Sequence, residues 1–362
     1  MSRRPLALQR ISRRGLISSA VLAGVLSASG MAVQARERRG VLRLGLSGSL
    51  PGWDPRAGRG SLARVALSGA VYETLTEITA SGELTGELAE SWEPSEGAAV
   101  WTVTLRAGTA FHDGSPVTAG DVIASLALHR DGSPAAPILR AVQDMRALTA
   151  RHIRFQLAAP DANFPLRLAD PHLVVGPEGR FDGVGSGLYR VAEFLPGERL
   201  RLTRVEDHWR DNRAGWFEAL VLRAMPDPAA RTAALLAGHV DAVDFPAGFE
   251  ARRGLRLTAA EGYGVALSPE AAQTALAAGL PVIAGAPGEP LIAAAEGYGD
   301  PALGGGLYGQ GLDSLIPAAA EPAPVAGHLP FLIGHSDRLR HDGIGSLAPM
   351  DSGRIAERWW FA

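Results

Sequence analysis

Cysteine and lysine are both missing from this 362-residue sequence. Without cysteine there is no disulfide staple, no thiolate nucleophile and no thiolate-bound zinc, so the folded chain must rest on its hydrophobic core. The length can supply one, and it exceeds a single ordinary core, which points to two lobes or domains. Without lysine, all 35 basic residues are arginine, a matter of coding bias that says nothing about partners. A basic stripe is lacking too: 35 basic against 38 acidic residues give a formal charge of −3, which argues against nucleic acid as a partner. What is present is a globular composition, 46% apolar and 20% charged, well away from disorder.

The first 35 residues contain no acid and carry Arg3, Arg4, Arg10, Arg13 and Arg14, followed by an apolar stretch from Leu16 to Val33. Val33-Gln34-Ala35 suits signal peptidase, so a cleaved signal ending at Ala35 is expected, with an uncleaved anchor helix as the alternative. Ser12-Arg13-Arg14-Gly15-Leu16-Ile17 resembles a twin-arginine (Tat) signal; the general secretory route stays open. Both place the chain in the periplasm. Loss of five arginines leaves 30 basic against 38 acidic residues, a net of −8.

The most informative stretch is Trp101–Val122. Trp101, Val103 and Leu105 alternate with Thr102, Thr104 and Arg106, the pattern of a half-buried strand. His112-Asp113-Gly114-Ser115-Pro116 then reverses the chain, and Thr118 with Asp121 three residues on caps a helix carrying Val122, Ile123 and Leu126. Read alone, this is a structural joint and not a ligand site. Upstream, Val41–Leu46 reads as a strand running into the Gly- and Pro-rich loop Ser47–Pro55. In open α/β sheets ligands sit beyond the carboxyl ends of strands, so this loop is well placed to touch one. Trp53 offers a stacking surface and Ser49 a donor; the alternative is that Trp53 plugs a core edge. Ser61–Leu75 reads as a helix with Val65, Leu67, Val71, Tyr72 and Leu75 on its apolar face. Ile153, Phe155 and Leu157 mark another strand, and Tyr189–Phe194 with Arg199–Val205 a hairpin across Pro196-Gly197. Asp227-Pro228 starts a helix that Gly238 stops before a strand over 239–244, with Arg231 expected to pair with Asp241.

After its strand and Leu105-Arg106, the run Phe111-His112-Asp113-Gly114-Ser115-Pro116-Val117-Thr118-Ala119-Gly120-Asp121-Val122 resembles the signature of the extracellular solute-binding proteins, family 5, of peptide and nickel ABC importers. Val71–Thr76, Leu88–Glu93, Asp207–Arg210 and Met350–Phe361 follow the same family. Gly183-Val184-Gly185-Ser186-Gly187-Leu188-Tyr189 resembles its segment crossing between sub-lobes, where glycines pass through conformations a β-carbon forbids. That run is not a dinucleotide fingerprint, since Leu188 replaces the third glycine, nor a nucleophile elbow. The resemblance implies an α/β, periplasmic-binding-protein-like fold of type II with two lobes. Its expected parts are lobe I over 40–248 with a sub-lobe inserted at about 60–180, a reduced lobe II over 249–325, and a C-terminal return over 326–362. The ligand-binding candidates are Ser47, Ser49, Leu50, Trp53 and Asp54 of the first loop with Gly185 and Ser186 of the crossing segment. The implied ligand is a peptide or other small molecule, and the implied partners are ABC permease subunits of the inner membrane; the chain is expected to be a monomer without a cofactor.

Beyond Phe245 the resemblance thins. The family's "asn-thr" strand and "arg-gln-ala" helix are absent, and the region from Glu250 is rich in Ala, Gly and Pro. It holds two copies of Ala-Ala-Glu-Gly-Tyr-Gly, at Ala259 and Ala294, too few for a solenoid. Gly304–Gly309 satisfies G-x-G-x-x-G without a preceding strand and reads as a loop. His335, Asp337 and His341 do not share one helix or strand face and read as a solvated loop, not a metal site. No carboxylate pair has a context for acid–base chemistry, so no catalytic residue is assigned. Three readings result: an importer's solute receptor, a family member that keeps lobe I but not transport, and a secreted hydrolase using a serine such as Ser186, which lacks a nucleophile constellation.

Overall fold

The structure is a computed structural model describing residues 36, 38–58, 60–131, 133–267, 282–283, 291–297, 307–308 and 325–362, with backbone alone over 261–330. The expected targeting segment 1–35 and most of the expected lobe II lie outside the described residues.

The chain from Arg38 onward is built on one mixed sheet. Its centre is β1 (Val41–Leu46), where Leu42, Leu44 and Leu46 are fully buried. From it the chain passes through the loop at 47–59 into α1 (Gly60–Ala66), which continues as a π-helical turn over Leu67–Val71. An inserted layer follows. The hairpin β2 (Thr76–Ile78) and β3 (Leu84–Gly86) leads to β4 (Ala89–Ser95), β5 (Val100–Leu105) and α2 (Ala119–Ala127). Then come α3 (Ala136–Arg140), β6 (Val142–Ala147), β7 (His152–Leu157) and α4 (Phe164–Arg167). Strands β4, β5, β7 and β6 make an antiparallel sheet in that order. The alternation read from Trp101 to Arg106 holds, with Trp101, Val103 and Leu105 buried against α2 and their neighbours half-buried. The capping box is present: Asp121 N donates to Thr118 Oγ1 at 3.4 Å and Thr118 N to Asp121 Oδ2 at 2.8 Å. This layer's core is drawn from Leu75 to Val175. The sub-lobe expected from about residue 60 therefore starts later, because Leu62, Val65, Val71 and Tyr72 pack into the core around β1.

The chain returns to the main sheet through β8 (Tyr189–Leu195), β9 (Arg199–Arg204), β10 (Ala219–Ala224), α5 (Pro228–Leu236) and β11 (Ala242–Asp244). β1 is parallel to both β10 and β11, so their carboxyl ends share one edge. Asp227 caps α5 by accepting from Ala229 N at 2.9 Å, with Pro228 at the first helical position. The expected pairing of Arg231 with Asp241 does not form; Arg231 lies 3.2 Å from Asp244.

β12 (Leu255–Leu267) and β16 (Val325–Ser336) form a long antiparallel pair, and β16 docks on β11 through Ala242 to Asp244. The pair runs past the end of β11. Thr258 opposes Ile333 beside Asp244, and nine more residues of β12 continue beyond, about 30 Å at strand rise. There β14 (Leu291–Gly297) pairs with Tyr263–Leu267, and β13 (Val282–Ile283) and β15 (Leu307–Tyr308) pair with β14. The described parts of the two Ala-Ala-Glu-Gly-Tyr-Gly copies thus abut in one sheet, Tyr263 opposite Ala295 and Gly264 opposite Ala294. Within the Gly304–Gly309 run read as a loop, Leu307 and Tyr308 are strand. His335 is a buried strand residue: it bonds Thr258 Oγ1 at 2.8 Å and, with His341, packs on the Trp359 ring, so the solvated-loop reading of His335 is replaced by aromatic packing.

After the short strand β17 (Leu339–Arg340), the chain turns back at Pro349–Ser352, with Met350, Asp351 and Ser352 left-handed. It then forms α6 (Ile355–Arg358) and β18 (Trp360–Phe361), which pairs with β17. The Gly353 carbonyl in this return lies against the π turn at Gly69, where an added Cβ would stand 2.0 Å from its oxygen. Glycine is required there by contact with rigid backbone. Gly69→Ala is expected to lower unfolding free energy by about 1–3 kcal/mol. Urea denaturation against Gly52→Ala, whose Cβ would meet nothing within 4 Å, is the check; equal midpoints for the two variants would refute the close docking.

Candidate functional site

The carboxyl edge of β1, β10 and β11 is closed by a polar knot around Asp244, which is fully buried. Ser47 donates to it from its backbone N at 3.0 Å and also from its hydroxyl, and Ser61 Oγ donates at 2.6 Å. Arg231 pairs with the same carboxylate and donates to the carbonyls of Asp244, Met225 and Pro226 at 2.8, 2.6 and 2.9 Å. One ion pair thereby joins the ends of three strands and the starts of α1 and α5. A buried carboxylate is stable only when its lone pairs are filled, and these are.

On this base stands the loop of the sequence-derived candidates. Ser47 and Leu50 face inward, 1% exposed each, and serve the fold. Ser49, Trp53 and Asp54 remain half-exposed. Trp53 packs on Phe194 with ring centres 4.7 Å apart and meets Tyr72 edge-on at 6.4 Å, while its indole covers the backbone of Gly183. Trp53 is therefore packed at the core edge, as one of the two readings has it, and stays half-exposed. Asp54 is gripped by Arg56, Nη2 to Oδ2 at 2.7 Å, and this hydrogen bond holds its carboxyl below the usual range. Arg56 also donates to Leu128 O at the end of α2, tying the loop to the inserted layer.

Gly185 and Ser186 are buried in the crossing segment, whose Gly183 lies against Trp53. A Cβ on Gly185 would stand 2.0 Å from Val71 O, which explains the glycine in a segment threaded against the π turn. His112 fixes the segment: its Nδ1 accepts from Gly185 N and its Nε2 donates to Gly187 O, and burial lowers its pKa, keeping it neutral. Ser186 is 1% exposed, and the neighbouring His208 has both nitrogens engaged, Nε2 on Ser186 O and Nδ1 on Arg210 N. Burial lowers the His208 pKa to about 3. Neither an accessible nucleophile nor a free base is present at Ser186. The seven candidates thus divide by burial: Ser49, Trp53 and Asp54 are half-exposed on the loop, whereas Ser47, Leu50, Gly185 and Ser186 are buried. The sequence reading missed Asp244, Arg56 and His112.

Beneath the crossing segment lies a second buried polar assembly. Arg354 bonds both oxygens of Glu87 at 2.5 and 3.0 Å, Arg210 reaches Glu77, Glu87 and Glu357, and Arg358 joins Glu77 to Asp351. Glu77, Glu87 and Glu357 are close enough to surround a cation, and the Arg210 and Arg354 guanidinium groups already bridge them. Burial opposes ionisation of Glu77, yet Arg210, Arg354 and Arg358 hold its carboxyl well below the ordinary range. Glu73 lies at the rim, accepting from Trp209 Nε1 at 2.8 Å. Burial, reinforced by Glu87, pushes it up to about 8.

Comparison with known proteins places this architecture. Residues 83–275, just over half the chain, match the bacterial extracellular solute-binding proteins, family 5 middle. The chain is 25% identical over 187 residues to the nickel-binding periplasmic protein of Escherichia coli, covering 47% of this chain and 35% of that protein. It is 24% identical over 203 residues to the oligopeptide-binding protein AppA of Bacillus subtilis, covering 51% and 37%. The solved periplasmic binding protein AgaA of A. tumefaciens R10, in complex with agropinic acid, superposes with a TM-score of 0.57 at 24% identity, over 64% of this chain and 50% of that one. The chain thus spans between about a third and a half of the length of these proteins.

Glu73 supplies a test of the buried assembly. The folded chain holds a proton there, between the ordinary carboxyl range and about pH 8, that the unfolded chain has released, so this group's contribution to stability falls as pH rises across that window. Glu73→Gln keeps an acceptor for Trp209 and removes the titration. It is expected to lose less unfolding free energy than the wild type between about pH 5 and about pH 8; urea melts showing equal losses would contradict the buried, protonated carboxyl.

Proposed function

Because the chain belongs to the bacterial extracellular solute-binding proteins of family 5, we propose that it is the periplasmic substrate-binding component of an ABC importer. It captures a peptide or related small solute between lobe I and a reduced second lobe, and delivers it to permease subunits in the inner membrane. One observation carries this reading. The β12–β16 pair leaves the main sheet at the same edge that bears Ser49, Trp53 and Asp54, so the strands at its far end grow from the border of that surface. A second lobe rooted elsewhere would have no surface of lobe I to close on.

The chemistry of the open loop suits an extended, partly apolar solute. Trp53 supplies a half-open aromatic face already fixed by Phe194 and Tyr72, so little rotamer entropy is lost on stacking. Ser49 supplies a hydroxyl, and Asp54, held by Arg56, supplies an oriented carboxylate for a ligand's amino group. Nickel is another solute named among the relatives; the open loop has no histidine, and one carboxylate committed to Arg56 is a poor nickel ligand set.

The test is a peptide library screened by thermal shift with the full chain, followed by titration calorimetry on the hits. At a ligand concentration of ~100 Kd a bound peptide stabilises the folded state by about 2.7 kcal/mol, and Trp53→Ala is expected to weaken binding roughly tenfold or more, about 1.4 kcal/mol. No stabilisation by any peptide would sink the receptor reading in favour of a family member that keeps lobe I without transport.

A further inference from the structure

The amino-terminal edge of the same strands carries a different surface. Arg43 of β1, the end of α5, the turn Arg252–Leu255 and the residues after β16 enclose an open hollow of about 320 Å³. Four arginines line it, Arg43, Arg252, Arg253 and Arg338, against a single carboxylate, Asp241. Asp241 is buried and fully engaged: Arg43 donates from its backbone N at 2.9 Å and from Nε and Nη2 at 3.0 Å each, and Arg338 donates at 3.1 Å. The Arg338 guanidinium is also steadied over the Phe361 ring at 5.2 Å. Arg252 and Arg253 are exposed and have no ion-pair partner among the described residues. The hollow thus bears a formal excess of three positive charges on a chain whose overall charge is −3.

We propose that this hollow binds a phosphate-type oxyanion, carried either by a soluble phosphate or by an anionic lipid headgroup, at a site separate from the solute cleft. The charge excess favours a dianion over a single carboxylate, and the planar arginine fork matches two oxygens of a tetrahedral anion at once. Asp241 does not repel such a ligand strongly, because Arg43 and Arg338 neutralise it and hold it below the surface. The carboxyl end of α5 also faces the hollow, and a helix end carries at most about half a negative charge. Its last carbonyls are occupied by Ala237 N, Gly238 N and His239 N. Three positive charges outweigh that. The arginines are solvent-exposed, so binding weakens with ionic strength.

The experiment uses the full chain at low salt. Thermal shift and calorimetry with inorganic phosphate, against chloride at matched ionic strength, read the soluble ligand. Flotation with phosphatidylcholine vesicles, with and without phosphatidylglycerol, reads the headgroup. The Arg252→Glu/Arg253→Glu double variant is expected to weaken whichever binding is seen roughly tenfold or more. Arg146→Glu/Arg201→Glu, which changes the same number of exposed charges elsewhere, should leave it within about twofold. Phosphate binding without flotation identifies a soluble ligand, and flotation dependent on phosphatidylglycerol identifies the lipid. Absence of both, or binding that survives the double reversal, overturns the site.

Discussion

The buried contact between Arg354 and Glu87 holds the inserted layer to the C-terminal return, and the rest of the structure depends on it. Glu87 lies between β3 and β4, and Arg354 comes 267 residues later, beside α6. Around the pair, Thr74 donates twice to Glu87 at 2.7 Å, Arg210 arrives from the close of the β8–β9 hairpin, and Arg358 links Glu77 to Asp351. An ion network of this kind adds little net stability over a well-packed apolar core, but removing one member costs about 3–5 kcal/mol because its partner stays charged and buried. Its main effect is registry. Apolar surfaces slide at small cost, whereas these forks and carboxylates fit in one arrangement. The C-terminal return is strained, with left-handed Met350, Asp351 and Ser352 each costing about 1–2 kcal/mol. Asp351 compensates by accepting from Gly345 N, Arg358 and Trp359 Nε1.

A second lock lies at the strand ends, where Asp241 and Asp244 secure opposite edges of the same strand. Asp244 at the carboxyl edge is sealed by Ser47, Ser61 and Arg231, leaving the loop above it as the presenting surface. Asp241 at the amino edge is sealed by Arg43 and Arg338, and the arginines around it remain in excess. The two carboxylates are three residues apart, about 10 Å at strand rise, and the surfaces built on them differ in character: aromatic and hydroxylic at one edge, cationic at the other. Each is built on a satisfied buried carboxylate, so either can change its exposed residues without unfolding the sheet.

Local signals in the sequence were decisive where the structure itself is local. The strand, turn and capped helix of 101–122, the β8–β9 hairpin and the Asp227 cap each depend on neighbours a few residues apart, and each is found as read. The polar networks were not legible, because Glu77, Glu87, Arg210, Arg354 and Glu357 have no common spacing and meet only through tertiary packing. The exchange of Asp241 for Asp244 as the partner of Arg231 has a simpler cause. α5 runs antiparallel to β11, so a residue in its first turn lies beside the last residue of that strand and not beside the residue before its start. That geometry follows from the β-α-β order and was available from sequence. Ser47 and Ser186 were misjudged as ligand-facing for a related reason: loop position reveals proximity to an edge, not the direction of a side chain.

The two locks also restrict where the molecule can move. The main sheet is tied at both strand edges and along the C-terminal return, so the loop that carries Ser49, Trp53 and Asp54 rests on a fixed base. Between β11 and β14, the described sheet narrows to two strands, Ala259–Gly262 of β12 opposite Leu329–Leu332 of β16. A two-stranded ribbon twists and bends more readily than a wide sheet, having no neighbours to hold its outer edges. A Pro at 330, a Gly at 262 and a register shift at Gly264/Val265 weaken the ladder further in the same section. In the proposed receptor, closure of the far strands over the loop would therefore concentrate in this ribbon. The same division would set selectivity there: the locked side would fix the aromatic and hydroxyl contacts, and the strands carried by the ribbon would bound the space left for a solute.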